Sequence, residues 1–226
     1  MFDNIAPTYD RLNHLLSMNI DRIWRRRTVN AVAKQQPSTV LDVATGTGDL
    51  ALALAKRIDG ARIFGVDLSA EMLRVAQTKV ESRGLSERIS LSQGDAEYLE
   101  FGDESFDAVT VAFGVRNFED IDAGLREMHR VLRNGGLLVV LELATPQNRP
   151  FNALYKRYSH GVLPRIGGLV SSDDKAYEYL PASVDEFPSP ERFLDMLNCA
   201  GFWDCKARSQ SFGIAEIYTA RKQTKR

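Results

Sequence analysis

The stretch Ser38-Thr39-Val40-Leu41-Asp42-Val43-Ala44-Thr45-Gly46-Thr47-Gly48-Asp49 decides the fold. Val40, Leu41 and Val43 form an apolar strand that carries Asp42 and leads into a loop holding Gly46 and Gly48. Leu50, Leu52, Leu54 and Ala55 follow at once in a helix-like pattern. A strand, a glycine turn and a helix in that order bring bare backbone N–H groups close to a nucleotide ligand. Asp67 lies 19 residues beyond Gly48, at the end of a second apolar strand, Ile63-Phe64-Gly65-Val66. An acidic residue there reaches the ribose hydroxyls of an adenosine ligand. The expectation is an adenosine cofactor.

Outward from that stretch, strands and helices alternate. Strands are expected at 39–44, 61–66, 89–93, 106–112 and 137–143, with helices at 48–58, 69–83 and 120–132. Ser69 and Glu71 supply cap chemistry for the second helix. Asn134-Gly135-Gly136 reads as the C-cap and turn that ends the third. The run Leu137-Leu138-Val139-Val140-Leu141-Glu142-Leu143 is the most apolar strand and is expected at the centre of the sheet. This alternation implies a parallel sheet covered by helices on both faces. Upstream, Leu12, Leu15, Leu16, Ile20, Ile23 and Trp24 recur at helical spacing, so 9–34 reads as helical. Residues 149–182 show no clear strand but many large apolar side chains. Pro188-Ser189-Pro190 opens a helix that ends near Gly201. Two strands, 202–209 and 212–220, then close the chain through a turn at Gly213 or just before it, adding an antiparallel edge.

With 226 residues, 44% of them hydrophobic, the chain can bury a large α/β core. The net charge of -1 argues against nucleic acid as the main partner. Cys199 and Cys205 fit neither a zinc spacing nor a disulfide framework, which reads as a reducing, cytoplasmic setting. His14, His129 and His160 are scattered and form no metal-ligand cluster, so no metal is expected. The start, Met1-Phe2-Asp3-Asn4-Ile5-Ala6-Pro7, has no secretory-signal pattern. No apolar run approaches the roughly 20 residues that span a bilayer. Any membrane contact is therefore expected to be peripheral.

Gly46-Thr47-Gly48-Asp49-Leu50-Ala51 also fits a dinucleotide fingerprint, which alone is a weak signal. Three features favour S-adenosylmethionine (SAM) over NAD. Asp42 ends its strand where it can hold the amino-acid end of SAM, whereas a carboxylate there would repel a pyrophosphate. Gly94-Asp95-Ala96 follows the third strand, where the Asp95 carboxylate can accept from the adenine amino group. The chain closes with a helix and a strand hairpin rather than a second catalytic domain. Over residues 38–143 it resembles the class I SAM-dependent methyltransferases. The resemblance implies a Rossmann-like α/β fold with a mostly parallel seven-stranded sheet, a C-terminal antiparallel strand and helices on both faces. It also implies cofactor contacts from Asp42, Gly46, Thr47, Gly48, Asp67, Asp95 and Ala96. Ala44 stands where the first loop glycine is usual.

Further stretches narrow the resemblance. Tyr9-Asp10-Arg11-Leu12-Asn13-His14-Leu15-Leu16-Ser17 with Trp24, Phe113-Gly114-Val115-Arg116-Asn117, and Arg130-Val131-Leu132-Arg133-Asn134-Gly135-Gly136 with Glu142 are similar to motifs of the ubiquinone/menaquinone biosynthesis C-methyltransferase family. So is the region 158–188, including Tyr179-Leu180-Pro181 and Phe187-Pro188. Leu12, Asp21, Ala112, Asn134 and Ala144 depart from that family's usual residues. The resemblance implies one domain over 1–226, with an N-terminal helical cap (1–37), a cofactor core (38–144), a helical substrate lid (145–200) and closing strands (201–226). It implies methyl transfer from SAM to a ring carbon of a polyprenylated quinol. Demethylmenaquinol is favoured, a methoxy-benzoquinol of ubiquinone biosynthesis is the alternative, and O- or N-methylation of a soluble small molecule is a further one.

Arg116 is the first candidate for stabilising a ring phenolate, against the plainer reading that it pairs with Glu119 or Asp120. Asn117 either bonds the ring oxygen or caps the helix at 120–132, the cap being slightly favoured. Tyr9 and Asn13 are substrate-side candidates from the N-terminal helix. His160 is a candidate base, although a solvated lid histidine is the simpler reading. Glu142 lines the pocket or binds a helix N-terminus. Apolar residues in 149–170 wall a prenyl tunnel or pack an ordinary lid. Arg25-Arg26-Arg27 touch anionic lipid or are solvated. Transient contact with the inner face of the membrane follows from the lipid substrate, and the oligomeric state is left open between monomer and homodimer.

Overall fold

The computed structural model describes Ala6, Ser17, residues 19–146 and residues 182–224. Seven strands form one sheet. They are β1 (Thr39–Val43), β2 (Arg62–Asp67), β3 (Ile89–Gln93), β4 (Phe106–Ala112), β5 (Leu132–Leu143), β6 (Phe202–Gln210) and β7 (Ala215–Lys222). Their order is β3-β2-β1-β4-β5-β7-β6. The first five are mutually parallel, and β7 runs antiparallel to both β5 and β6. Among the described residues the longer helices are α1 (Asp21–Ala33), α2 (Asp49–Arg57), α3 (Ala70–Ser82), α4 (Ile121–Val131) and α5 (Pro190–Cys199).

The strands are apolar because they are covered twice. Along β5, Val139 and Leu141 join the core of one face, with Trp24 and Val29 of α1, Leu50 and Leu54 of α2 and Val80 of α3. Leu138 and Val140 join the core of the other, with Leu125 and Met128 of α4 and Phe193 and Leu197 of α5. That is the period-2 alternation of a strand with a helical layer on each side. Phe193 is fully buried, with ring centroids 5.2 Å from Phe187 and 4.6 Å from Tyr218. Burying such a ring contributes about 1.5–3 kcal/mol. At the edge, β6 is mostly exposed, and Lys206 and Arg208 discourage strand addition there.

Three helix starts follow the sequence pattern. Ser69 caps α3 by accepting from the Met72 N–H at 3.1 Å. Asp120 caps α4 by accepting from Ala123 at 2.9 Å. Ser189 caps α5 by accepting from Arg192 at 3.3 Å, with Pro190 in the first turn. Asn117 is therefore not the cap of α4; its Nδ2 lies 3.4 Å from the Phe113 carbonyl, which it can donate to. At the start of α2 the cap is Gly48 at φ +80°, which has no side chain of its own to offer the first N–H groups.

Asn134-Gly135-Gly136 does not end α4, which stops at Val131. The chain turns straight into β5, and these residues form a bulge. Phe106 pairs with Leu132 and Ala108 with Leu137, so two steps along β4 answer five along β5. The bulge is pinned from outside. Arg133 Nη1 donates to Asp107 Oδ1 at 2.6 Å, and Asp107 Oδ2 accepts from the Ser38 and Thr39 N–H groups at 2.9 Å. β5 lies between β4 and β7, and the middle position of the sheet belongs to β4. The β6–β7 turn holds Ser211, Phe212 and Gly213, all at positive φ, so the hairpin falls where expected.

A Cβ at Gly136 would sit 2.8 Å from the Arg133 carbonyl oxygen and 3.2 Å from that of Asp107. Neither backbone oxygen can swing aside. Gly136→Ala is expected to destabilise the protein by about 1–3 kcal/mol in urea denaturation. Wild-type stability would mean that the bulge relaxes freely.

Candidate functional site

The site forms where the strand order reverses between β1 and β4, the position at which open α/β sheets bind ligands. Asp42 is the fourth residue of β1 and pairs across the sheet with Thr110 of β4. Only 1% of it is exposed. Thr110 Oγ1 donates to its Oδ1 at 2.7 Å and Thr45 Oγ1 to its Oδ2 at 2.7 Å. Burial dominates and pushes the Asp42 carboxyl up to about 6, against the pull of the two hydroxyls and of nearby Arg25, while the Asp67 charge pushes the same way as burial. This carboxylate is kept dry at a cost, the arrangement expected of a group waiting for a cation.

The loop after β1 is wound tightly. Ala44 (φ +51°), Gly46 (φ +55°) and Gly48 (φ +80°) all adopt left-handed backbone. Ala44 tolerates there what glycine adopts without strain. Gly114, at the end of β4, lets the two loops meet, since a Cβ on it would fall 2.5 Å from the Ala44 Cβ. Asp67 closes the loop from β2. Its Oδ2 accepts from the Gly46 N–H at 2.7 Å and its Oδ1 from the Ser69 N–H at 2.9 Å.

Two openings meet at Ala44 and Ala112. A small cavity of about 30 Å³ is lined by Asp42, Thr45, Thr47, Asp49 and Arg25. A cleft of about 430 Å³ is bordered by Asp67, Leu68, Asp95, Ala96, Phe113 and Asn117. Leu68 is 66% exposed and offers the cleft an apolar surface. Asp95 accepts from the Glu97 N–H at 2.9 Å. Of the residues expected at the site, Asp42 and Thr47 thus face the small cavity, and Asp67, Asp95, Ala96 and Asn117 face the cleft. Gly46 and Gly48 shape the loop rather than line either opening.

Arg116, between the cleft-lining residues Gly114 and Asn117, does not itself line the cleft. It is held by Glu142, with Nη1 donating to Oε1 at 2.6 Å, and not by Glu119 or Asp120. The two side chains are 6% and 0% exposed. Glu142 Oε2 also accepts from the Arg116 N–H at 3.3 Å, so it binds the start of the 3₁₀ turn Val115–Asn117, one of the two roles expected of it. Arg116 Nη1 donates as well to the Phe113 carbonyl at 2.7 Å. Tyr9, Asn13, His160 and the apolar run 149–170 lie outside the described residues.

Sequence reasoning missed Arg25. Read as part of a solvated or lipid-facing stripe, it turns inward instead. It pairs with buried Asp21, approaches Asp49 Oδ2 at 4.0 Å and stacks over the Phe113 ring at 5.3 Å from its centroid. The Asp21–Arg25 spacing of four on a helix was the available signal. Arg27 stays exposed while donating to buried Gln210. Thr45 and Thr110 were missed because their role depends on folding about Asp42. No helix among the described residues is long and apolar enough to cross a membrane.

In the ligand-free protein Asp42 holds its proton more tightly when folded than when unfolded. As pH rises from about 4 to about 6, the unfolded chain ionises first, so stability falls through that window by about 3 kcal/mol. Asp42→Asn is expected to remove that slope, read as the difference between the two urea-denaturation curves across pH. Parallel curves would mean that Asp42 titrates normally.

A model of the ubiE/COQ5 methyltransferase family matches residues 1–222. The chain is 47% identical over 222 residues to demethylmenaquinone methyltransferase of Bacteroides fragilis, covering 98% of this chain and 91% of that protein. It is 47% identical over 226 residues to the ubiquinone/menaquinone biosynthesis C-methyltransferase of Geobacter sulfurreducens, covering 100% and 88%. Among solved structures it is similar to a SAM-dependent methyltransferase of Thermotoga maritima, with a TM-score of 0.70, 19% identity and 98% of each chain covered, a likeness of fold. With that family model matching nearly the whole length, the chain belongs to the ubiE/COQ5 methyltransferase family.

Proposed function

We propose that this chain transfers a methyl group from SAM to a ring carbon of a prenylated quinol, converting demethylmenaquinol to menaquinol. The observation that carries the cofactor reading is the dry Asp42 carboxylate beside Arg25. A zwitterionic amino acid needs an anion and a cation together, and a pyrophosphate would be repelled by Asp42. Asp42 holds the α-ammonium, directly or through water, and Arg25 faces the carboxylate. Thr47 and the Gly46–Gly48 turn cradle the chain between them. Asp67 takes the ribose hydroxyls, and Asp95 and Ala96 the adenine, with Leu68 against its face. When bound, SAM supplies an electrophilic methyl on a sulfonium sulfur.

The substrate reading is supported by the names of the Bacteroides and Geobacter relatives, a demethylmenaquinone methyltransferase and a ubiquinone/menaquinone biosynthesis C-methyltransferase. The second name also covers ubiquinone biosynthesis, so a methoxy-benzoquinol is the alternative acceptor. Only the reduced ring suits this chemistry. A quinone carbon is electrophilic, whereas a quinol phenolate pushes electron density onto the neighbouring carbon. That carbon gains the methyl and loses its proton, and the ring is restored. Arg116 stabilises the phenolate oxygen, with Glu142 fixing the guanidinium so that it need not reorganise. Asn117, on the same turn and lining the cleft, bonds the ring oxygen, and Tyr9 and Asn13 close from the N-terminal side. The lid over the prenyl chain comes from the 145–200 region ahead of α5, whose Phe193 and Leu197 belong to the core of the sheet. The setting is cytoplasmic, with contact at the inner face of the membrane.

The test is mass spectrometry of purified protein with SAM and a short-chain demethylmenaquinone, with and without dithionite. A one-methyl gain only under reduction is expected. Arg116→Lys keeps the charge but loses the fork, and is expected to lower kcat about tenfold or more with SAM affinity unchanged. A gain on the oxidised ring would contradict the electronic argument, and wild-type turnover in the variant would remove Arg116 from it.

A further inference from the structure

The face of the sheet that carries α1, α2 and α3 holds a groove of about 650 Å³ lined by basic side chains from all three helices. Asp49 is its one acidic lining residue, and that charge is already met by Lys79 Nζ at 2.8 Å and Arg25 Nη1 at 4.0 Å. Five further cations line it: Arg22 and Arg26 from α1, Lys56 and Arg57 from α2, and Arg83 at the C-cap of α3. All five are exposed. Among the described residues no carboxylate lies within ion-pair distance of any of them. The chain as a whole carries a net charge of only -1, so this positive field is local. Beside it on α1, Ile23 is an exposed apolar side chain, 40% accessible.

We propose that this groove is the surface by which the protein docks on a bilayer rich in anionic phospholipid. The inference rests on the lipid-quinol reading above and supplies its route: a prenyl tail resides in a bilayer, and the enzyme must meet it there. The chemistry of the groove selects a membrane over the other polyanions. A single phosphate is held by converging backbone N–H groups or a forked cluster. Here the cations are spread over three helices on long, exposed stems, which matches a layer of headgroups. Single-stranded nucleic acid calls for aromatic platforms between the charges, and the groove wall between the basic residues consists of Val29, Asn30 and Ala53. Juxtamembrane cations of this kind attract anionic lipid additively, and Ile23 can enter the interface among them. Arg25 and Asp49 line both this groove and the small cavity beside Asp42. The groove is therefore contiguous with the cavity beside Asp42.

The experiment is flotation of the full chain with vesicles of zwitterionic lipid alone or of zwitterionic and anionic phospholipid mixed. The wild type is compared with the triple variant Arg26→Gln, Arg57→Gln, Arg83→Gln, one exposed residue on or at the end of each helix. The wild type is expected to bind mixed vesicles about tenfold or more tightly than neutral ones, with the preference fading as salt is raised. The variant is expected to lose that preference while keeping its melting temperature and its turnover on a short-chain, water-dispersed quinol. Equal binding to both vesicle types, or an undiminished preference in the variant, would overturn the proposal. So would displacement from mixed vesicles by inorganic phosphate at constant ionic strength, which would mark a site for a free anion. Turnover in the dispersed assay reports on the chemistry alone, so loss of vesicle binding with turnover intact, and the reverse, point to different failures.

Discussion

A carboxylate buried at the end of β1 organises this molecule. Asp42 stays in place because Thr110, its partner across the sheet, and Thr45, in the following loop, each give it a hydroxyl. Two neutral donors do not compensate a buried charge fully, which is why the carboxyl rises to about 6. The remaining imbalance is useful only if a cation arrives. Around that point the chain is tightly constrained. Ala44, Gly46 and Gly48 turn left-handed in succession, Gly114 admits Ala44 at a distance that no side chain would permit, and Asp67 ties the loop to β2. The sheet order places all of this at the crevice where neighbouring strands diverge.

Arg116 and Glu142 form a buried charge pair of a different kind. They neutralise one another in the interior, and removing either alone would leave a charge stranded at a cost of about 3–5 kcal/mol. Replacement of the pair by apolar residues would be tolerated far better, so stability is a weak reason for its presence. The phenolate role proposed for Arg116 draws on its place between Gly114 and Asn117, two residues that line the cleft. A buried anion at Asp42 and a buried cation at Arg116 suit the proposed reaction, in which a cationic donor meets an anionic acceptor with water kept away.

The elements legible from sequence were those set by local pattern. The strand, glycine loop and helix at 38–58, the acids Asp67 and Asp95 at two further strand ends, and the closing hairpin all follow from residue type and spacing. The misreadings share a physical origin in contacts distant along the chain. Asn134-Gly135-Gly136 has the composition of a helix stop, yet β4 recruits it as a bulge because Asp107 and Glu104 anchor Arg133 and Asn134 from outside. Asn117 resembles a cap, but Asp120, three residues on, takes that role. Arg25 looks like one of three equivalent arginines. Only folding shows that Asp21 and the face of Phe113 draw it inward while Arg26 stays in solvent.

The proposed cofactor site makes one quantitative demand. If Asp42 meets the α-ammonium of SAM, its ionised form binds and its protonated form does not. Calorimetric titration of SAM into the wild type and into Asp42→Asn, at about pH 5 and about pH 7, tests this directly. With the carboxyl at about 6, wild-type affinity should rise about tenfold over that range and the variant should bind weakly at both values. Tight binding by the variant, or a wild-type affinity indifferent to pH, would contradict the assignment of this buried carboxylate to the cofactor.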